Sequence, residues 1–158
     1  MSNIPVRASG LRRAAAPLLL AAFAFTGAGA VCAQGLSSPV GLWKTVDDET
    51  QQPKSLVRIV EQDGALVGRI EKILTDKPDA RCDRCTDERK DQPVQGMTII
   101  TGMKPEGGLW DGGSILDPGN GKVYRSRMKL LEGGRKLEVR GYIGAPLFGR
   151  SQTWLREE

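Results

Sequence analysis

The sequence predicts an all-β protein, built as a single small antiparallel up-and-down β-barrel of about eight strands. Three observations carry this. Between residues 109 and 156, short alternating runs are separated repeatedly by Gly-rich turns. The clearest run, 123–131, puts Tyr124, Ser126, Met128 and Leu130 on one face and Arg125, Arg127 and Lys129 on the other. That period of two is the mark of a half-buried strand, dry inside and wet outside. Strands at such short spacing, with no long helical pattern between them, favour a closed sheet, because closure removes exposed edges.

The elements follow in order. Residues 41–46 read as the first strand and 47–53 as a turn-rich connection. Residues 55–62 are rich in β-branched side chains and form the second strand. Asp63-Gly64 is a hairpin signal. Residues 65–73 are the third strand, with Gly68 marking a bulge or sharp bend inside it. Residues 75–93 are polar, charged and long for a loop, with Pro78 and Pro93 toward the ends. A short helical turn is expected near 86–90. Residues 97–103 resume as the fourth strand. The last four strands are 109–116, 122–131, 136–143 and 150–155. Tight turns at 117–121 and at Gly133-Gly134 join neighbours as hairpins.

The 158 residues suit one domain, and the net charge of +4 is not spread evenly. Residues 1–33 hold Arg7, Arg12 and Arg13, no acid, an apolar middle and small residues near the end. This is the pattern of a secretory signal peptide, with the cut expected after Ala33 and a barrel domain over 34–158. The expected address is periplasmic or secreted. A retained membrane helix, a lipoprotein cut before Cys32, and a twin-arginine signal at Arg12-Arg13 each fit less well. Val31 is not the small residue that lipoprotein processing wants before its Cys. Without Arg7, Arg12 and Arg13, 20 cations face the same 19 acids. A near-neutral domain is not built for nucleic acid, and the chain is not expected to be an integral membrane protein.

The sequence contains no His, which removes Ser–His and Cys–His pairs and most zinc and copper sites. Cys82-Asp83-Arg84-Cys85 is a C-x-x-C motif. It lies in a loop of a β protein rather than at a helix start after a strand, in a compartment that favours oxidation. A structural disulfide is expected, ahead of a redox or metal role. The turn Asp117-Pro118-Gly119-Asn120-Gly121-Lys122 matches neither calcium nor phosphate loops, because the required Glu, Gly and Ser/Thr are missing. The stripe of Arg125, Arg127, Lys129, Lys136 and Arg140 reads as a solvated face, and Asp47-Asp48-Glu49 as surface charge in a turn. No catalytic residue, metal site or cofactor is expected. An eight-stranded barrel is just wide enough either to be filled by its side chains or to hold one small ligand. Trp43, Trp110, Tyr124, Met128, Tyr142, Phe148 and Trp154 therefore either fill the core or line a cavity. Small residues on the strands, Gly68, Gly113, Ser114, Ser126 and Gly141, argue for room. The mouth is expected beside Gly144-Ala145-Pro146-Leu147.

Two resemblances add to this. Gly41-Leu42-Trp43, with Arg150 or Arg156 on the last strand, is similar to the lipocalin pattern, in which a Trp at the barrel floor is covered by a late Arg. Residues 41–156 also resemble the secreted bacterial proteins grouped as domain of unknown function 2147. The matching motifs are Gly41-Leu42-Trp43, Gly68-Arg69-Ile70, the Cys82/Cys85 loop, Gly96-Met97, Trp110-Asp111-Gly112-Gly113-Ser114-Ile115 and Asp117 to Tyr124. The series continues with Val139 to Gly144, Phe148-Gly149-Arg150 and Trp154. The resemblance implies a lipocalin-like barrel and carries over no catalytic residues. Three functions follow as expectations: a module binding a small apolar or amphipathic molecule, a filled barrel acting through its surface, as a homodimer for example, and a thiol–disulfide enzyme using Cys82 and Cys85.

Overall fold

The computed structural model describes residues 37–157. The expected leader and its cut after Ala33 lie outside the described residues. Eight strands, each antiparallel to its neighbours, close into one barrel in chain order. They are β1 (Gly41–Val46), β2 (Pro53–Gln62), β3 (Ala65–Ile73), β4 (Thr98–Glu106), β5 (Leu109–Asp117), β6 (Lys122–Leu131), β7 (Lys136–Tyr142) and β8 (Arg150–Arg156). The turn at Asp63-Gly64 has φ of 53° and 75°. Positive φ at both central residues matches the right-handed twist of the flanking strands, which is why this dipeptide makes tight hairpins.

Register follows the alternation. On β6, Ser126 and Met128 are buried, with Tyr124 and Leu130 half-buried on the same face, while Arg125 and Lys129 are exposed. A slip of one residue would bury three cations. Two outward cations are paired with acids: Arg127 Nε donates to Asp111 Oδ2 at 2.6 Å, and Lys136 pairs with Glu132 at 2.7 Å. The β3–β4 pairing is irregular on both sides of Gly68, in keeping with the bulge expected there.

Two expectations are corrected. Residues 86–90 form hydrogen-bonded turns rather than a helical turn, with Lys90 N donating to Asp87 O at 2.9 Å and Gln92 N to Arg89 O at 3.0 Å. The described 3-10 turns are at Glu132–Gly134 and Pro146–Phe148. The glycines on the strands do not all leave room. A Cβ on Gly68 would meet Ile100 at 3.0 Å, and one on Gly113 would meet Met103 Sδ at 2.4 Å. Larger side chains from the neighbouring strand occupy that space, so these glycines permit close packing.

The seam is uneven. β1 and β8 pair only at Trp43↔Arg156 and Lys44↔Leu155, near one end of the barrel. Toward the other end Asp48 bridges the two strands, its Oδ2 accepting from Gln152 Nε2 at 2.8 Å and pairing with Arg150 at 2.7 Å.

Candidate functional site: a barrel cavity with a sealed floor

The two ends of the barrel differ. At one end lie the β2–β3, β4–β5 and β6–β7 turns and the start of β1. Trp43, Ile59, Met103, Met128 and Leu137 are fully buried there. Trp43 Nε1 donates to Pro39 O at 2.7 Å. The Arg156 guanidinium lies 4.2 Å from the Trp43 ring centroid, a cation–π contact. Its nitrogens also donate to the carbonyls of Gly134 at 2.6 Å, Val40 at 2.9 Å and Ser38 at 2.7 Å. Burial lowers its pKa from the ordinary Arg value, and a guanidinium starts so high that it keeps its charge. One side chain thus ties the lead-in to β1, the β6–β7 turn and the last strand together. This end is the floor.

The upper half holds a cavity of about 750 Å³, within the range of small-molecule sites. Ile70, Ile73, Ile99, Ile115, Val139 and Trp154 give it apolar walls, and Gly141 leaves one wall low. Several polar side chains of the lining are paired with one another. The Thr45 and Ser55 hydroxyls lie 2.8 Å apart. Tyr124 Oη accepts from Asn120 Nδ2 at 3.0 Å, and Trp154 Nε1 donates to Gln152 Oε1 at 3.2 Å. Ser126 Oγ, fully buried opposite Gly113 and Gly141, is the buried side-chain oxygen without a hydrogen-bond partner among the described residues.

Four connections surround the mouth. The β1–β2 turn is held by Asp47, whose Oδ1 accepts from Thr50 N at 2.9 Å and Thr50 Oγ1 at 3.0 Å. These bonds, the Thr50 amide first, keep the Asp47 carboxyl below its usual pKa. The long β3–β4 loop is not structureless. Cys82 and Cys85 form a disulfide, both side chains are buried, and Arg81 bridges to Pro93. This loop rests on the β5–β6 turn. Gly121, at φ 71°, comes so close to the Arg84 carbonyl that a Cβ would lie 2.0 Å from its oxygen. Glycine is required there both for the left-handed backbone and for the approach. The turn that resembles a calcium or phosphate loop is therefore a seat for the disulfide loop. Lys54, Lys77, Arg81, Arg84 and Arg150 border the mouth, against Asp83 and Asp117.

The structure divides the residues expected around the cavity. Trp154 and Tyr124 line it. Trp43 and Met128 fill the floor, and Trp110, paired with Met128 in register, packs against the same core below the cavity. Phe148 stands at the rim, largely exposed. Tyr142 borders the cavity while its phenol points along the outer wall, donating to Asp111 Oδ1 at 3.3 Å, with Arg125 stacked 5.7 Å from the ring centroid. Burial alone would raise the Asp111 pKa, yet the Gly112 amide, Arg127 and Tyr142 together hold it below its usual 3.8. Of the loop expected at the mouth, its flanks, Ile143 and Phe148–Arg150, border the opening, whereas 144–147 stand outside the lining. Thr45, Ser55 and Gln152 escaped the sequence reading. Their signal was present, since each is two residues from an inward-facing apolar residue, namely Trp43, Val57 and Trp154. Among the described residues, no group of three or more acids or cysteines could hold a metal ion, and no helix is long and apolar enough to cross a membrane.

Comparison with known proteins agrees with this geometry. A solved structure described as protein HP1028 from the human pathogen Helicobacter pylori, belonging to the lipocalin family, superposes with a TM-score of 0.67. It is 17% identical, and the match covers 77% of this chain and 84% of that one, so it speaks to fold alone. No curated protein matches the chain. The family model described as an uncharacterized protein conserved in bacteria (DUF2147) matches residues 41–156, essentially the whole barrel, and the chain belongs to that family.

Proposed function

We propose that the protein binds a small apolar or amphipathic molecule in the upper half of its barrel, in the periplasm or outside the cell. The observation that carries this reading is the cavity of about 750 Å³ above a sealed floor. Its apolar walls reward burial of a hydrocarbon or ring, by about 25 cal/mol for each Å² removed from water. The Thr45–Ser55 pair and Tyr124 can exchange partners to orient a polar group. The signal-peptide pattern of residues 1–33 supports the address.

The test has two parts. Native mass spectrometry of protein from its own host should show a co-purifying small molecule. A panel of fatty acids and amphipathic probes should quench Trp fluorescence, and Trp154→Phe should remove most of that response, because Trp154 lines the cavity while Trp43 and Trp110 do not. Gly141→Phe should abolish binding in a folded barrel. A Cβ there meets Tyr124 at 3.4 Å, an ordinary contact, so the ring would project into the cavity without moving the backbone. No response across the panel, with no co-purifying molecule, would favour a barrel acting through its surface. The thiol–disulfide reading has less support, because both sulfur-bearing side chains are buried under the loop that carries them. An oxidase or insulin-reduction activity lost on Cys82→Ser with Cys85→Ser would revive it.

A further inference from the structure

We infer that the cavity is built for an amphipathic molecule with an uncharged oxygen-bearing head, an alcohol, ester or amide, and that the hydroxyls of Thr45 and Ser55 hold that head. The inference rests on the cavity reading above and adds the chemistry of the ligand and the place where it is read. Thr45 on β1 and Ser55 on β2 are partners in register. Both line the cavity, and they are only 5% and 8% exposed. Their oxygens lie 2.8 Å apart, and Thr45 Oγ1 lies 3.4 Å from the Ser55 carbonyl oxygen. Two arrangements of hydrogens satisfy this geometry. In one, Thr45 donates to the Ser55 carbonyl and Ser55 donates to Thr45, which leaves lone pairs to accept from a ligand. In the other, Thr45 donates to Ser55 Oγ, and the Ser55 hydrogen is free for a ligand oxygen. The pair can therefore answer either a donor or an acceptor, in a place nearly shut off from water. Ile70, Ile99, Ile115, Val139 and Trp154 give the rest of the molecule its apolar walls.

A full charge is not matched there. A buried carboxylate brings about four acceptor sites and needs several donors or a cation. The hydroxyl pair supplies one hydrogen at most. Tyr124, whose Oη accepts from Asn120 Nδ2 at 3.0 Å, can supply another only from β6, on the wall opposite β2. Gln152 is held between Asp48 and Trp154, at 2.8 and 3.2 Å. Among the cations that border the opening, Arg150 pairs with Asp48 at 2.7 Å, Arg81 donates to Asp91 O at 2.8 Å, and Lys54, Lys77 and Arg84 are exposed to water. The connections around the mouth carry more acids than bases, so the opening does not gather anions. An ammonium is matched no better. Asp83 and Asp117 are the acids among the lining residues. Asp83 is exposed, and Asp117 accepts within its own turn from Gly119 N at 2.9 Å and Asn120 Nδ2 at 2.8 Å. A neutral oxygen head needs one or two hydrogen bonds, and that is what the hydroxyl pair has to give.

The test compares probes of one short skeleton by calorimetry, on the gene product purified as its host processes it and stripped of bound small molecules. The probes are butylbenzene, 4-phenylbutan-1-ol, 4-phenylbutanoate and 4-phenylbutylamine, and the short skeleton keeps the head from reaching bulk water. At neutral pH the alcohol should bind at least about tenfold tighter than the carboxylate or the amine, because a charged head is buried without partners. At about pH 4, where most of the carboxylate is protonated, its affinity should rise to within about threefold of the alcohol's. Thr45→Val with Ser55→Ala removes both hydroxyls at nearly constant shape, so thermal unfolding should stay close to the parent. This double variant should bind the alcohol about tenfold more weakly and butylbenzene within about twofold of the parent. The first two comparisons use the parent alone and stand whether or not the variant folds. Equal binding of alcohol and carboxylate, no gain at acid pH, or a folded double variant that holds the alcohol as tightly as the parent would overturn the inference and leave the cavity reading in place. So would alcohol binding lost on Tyr124→Phe but not in the double variant, which would seat the head on β6. Butylbenzene binding alone would keep the cavity and remove the head site, whereas binding of none of the probes would overturn both.

Discussion

At its floor the barrel is packed solid. Trp43, Met103, Met128 and Leu137 interlock, and Arg156 covers the ring and gathers three carbonyls from separate segments. At its mouth the same eight strands carry Thr45, Ser55, Gly141 and Gln152 on their inner faces, and space opens between them. Strand number is identical at both ends, so strand number does not decide whether a barrel of this size is hollow. Side-chain volume decides it, layer by layer. Glycine has opposite consequences in the two layers. Gly68 and Gly113 sit under Ile100 and Met103 and tighten the packing, whereas Gly141 borders the cavity with ordinary spacing to Tyr124 and Ile115.

The largest effect should come from breaking the floor. Trp43→Ala should destabilise the protein by about 3–5 kcal/mol, because a fully buried ring leaves a void that the closed ladder cannot collapse. Ile115→Ala, which opens onto existing space, should cost less than about 2 kcal/mol. Urea unfolding checks the pair, and equal losses would break the comparison. Next, Arg156→Lys should cost about 1–2 kcal/mol in the same measurement, since an ammonium keeps the charge but cannot stack and serve three carbonyls at once. The wall between the ends provides a third case. The depressed Asp111 pKa means that its share of stability is complete above its ordinary value of 3.8 and is lost as pH falls through the lower folded-state value. Asp111→Asn should flatten that part of the acid unfolding curve and leave probe binding in the cavity unchanged. The smallest effect should have the opposite sign. Ser126→Ala should be neutral or stabilising by less than about 1 kcal/mol, because it removes a buried hydroxyl with no partner. A clear loss of thermal stability would mean that this oxygen is satisfied in solution.

Much of the fold was legible because alternation fixes faces. Arg125, Arg127 and Lys129 could only point outward once Met128 and Leu130 pointed in, and that one register propagates around a sheet of hairpins. The floor was legible as well, through Gly41-Leu42-Trp43 and a late Arg, although only the structure chooses Arg156 over Arg150. What stayed hidden depends on depth along the barrel. Alternation says that Met128 and Tyr124 both face inward, but not that one plugs the floor and the other borders a cavity. Nor could it show that Ile100 and Met103 reach over from β4 to occupy the space left by Gly68 and Gly113. The seating of the disulfide loop on Gly121 joins segments that no local pattern relates, so it too required three dimensions.

The uneven seam has a consequence for how the barrel forms. Every other strand pair is a connection between neighbours in sequence, and most are short hairpins that can zip from their turns. The β1–β8 ladder joins the two ends of the described chain, with only two residue pairs near the floor and an Asp48 side-chain bridge above them. Its loop-closure entropy must be met before the contact returns anything. The hairpins should therefore assemble into a curled open sheet first, with closure last. Weakening the bridge by Asp48→Ala should then speed unfolding while leaving the folding rate nearly unchanged, the signature of a contact absent from the transition state. A matching drop in the folding rate would place closure early instead.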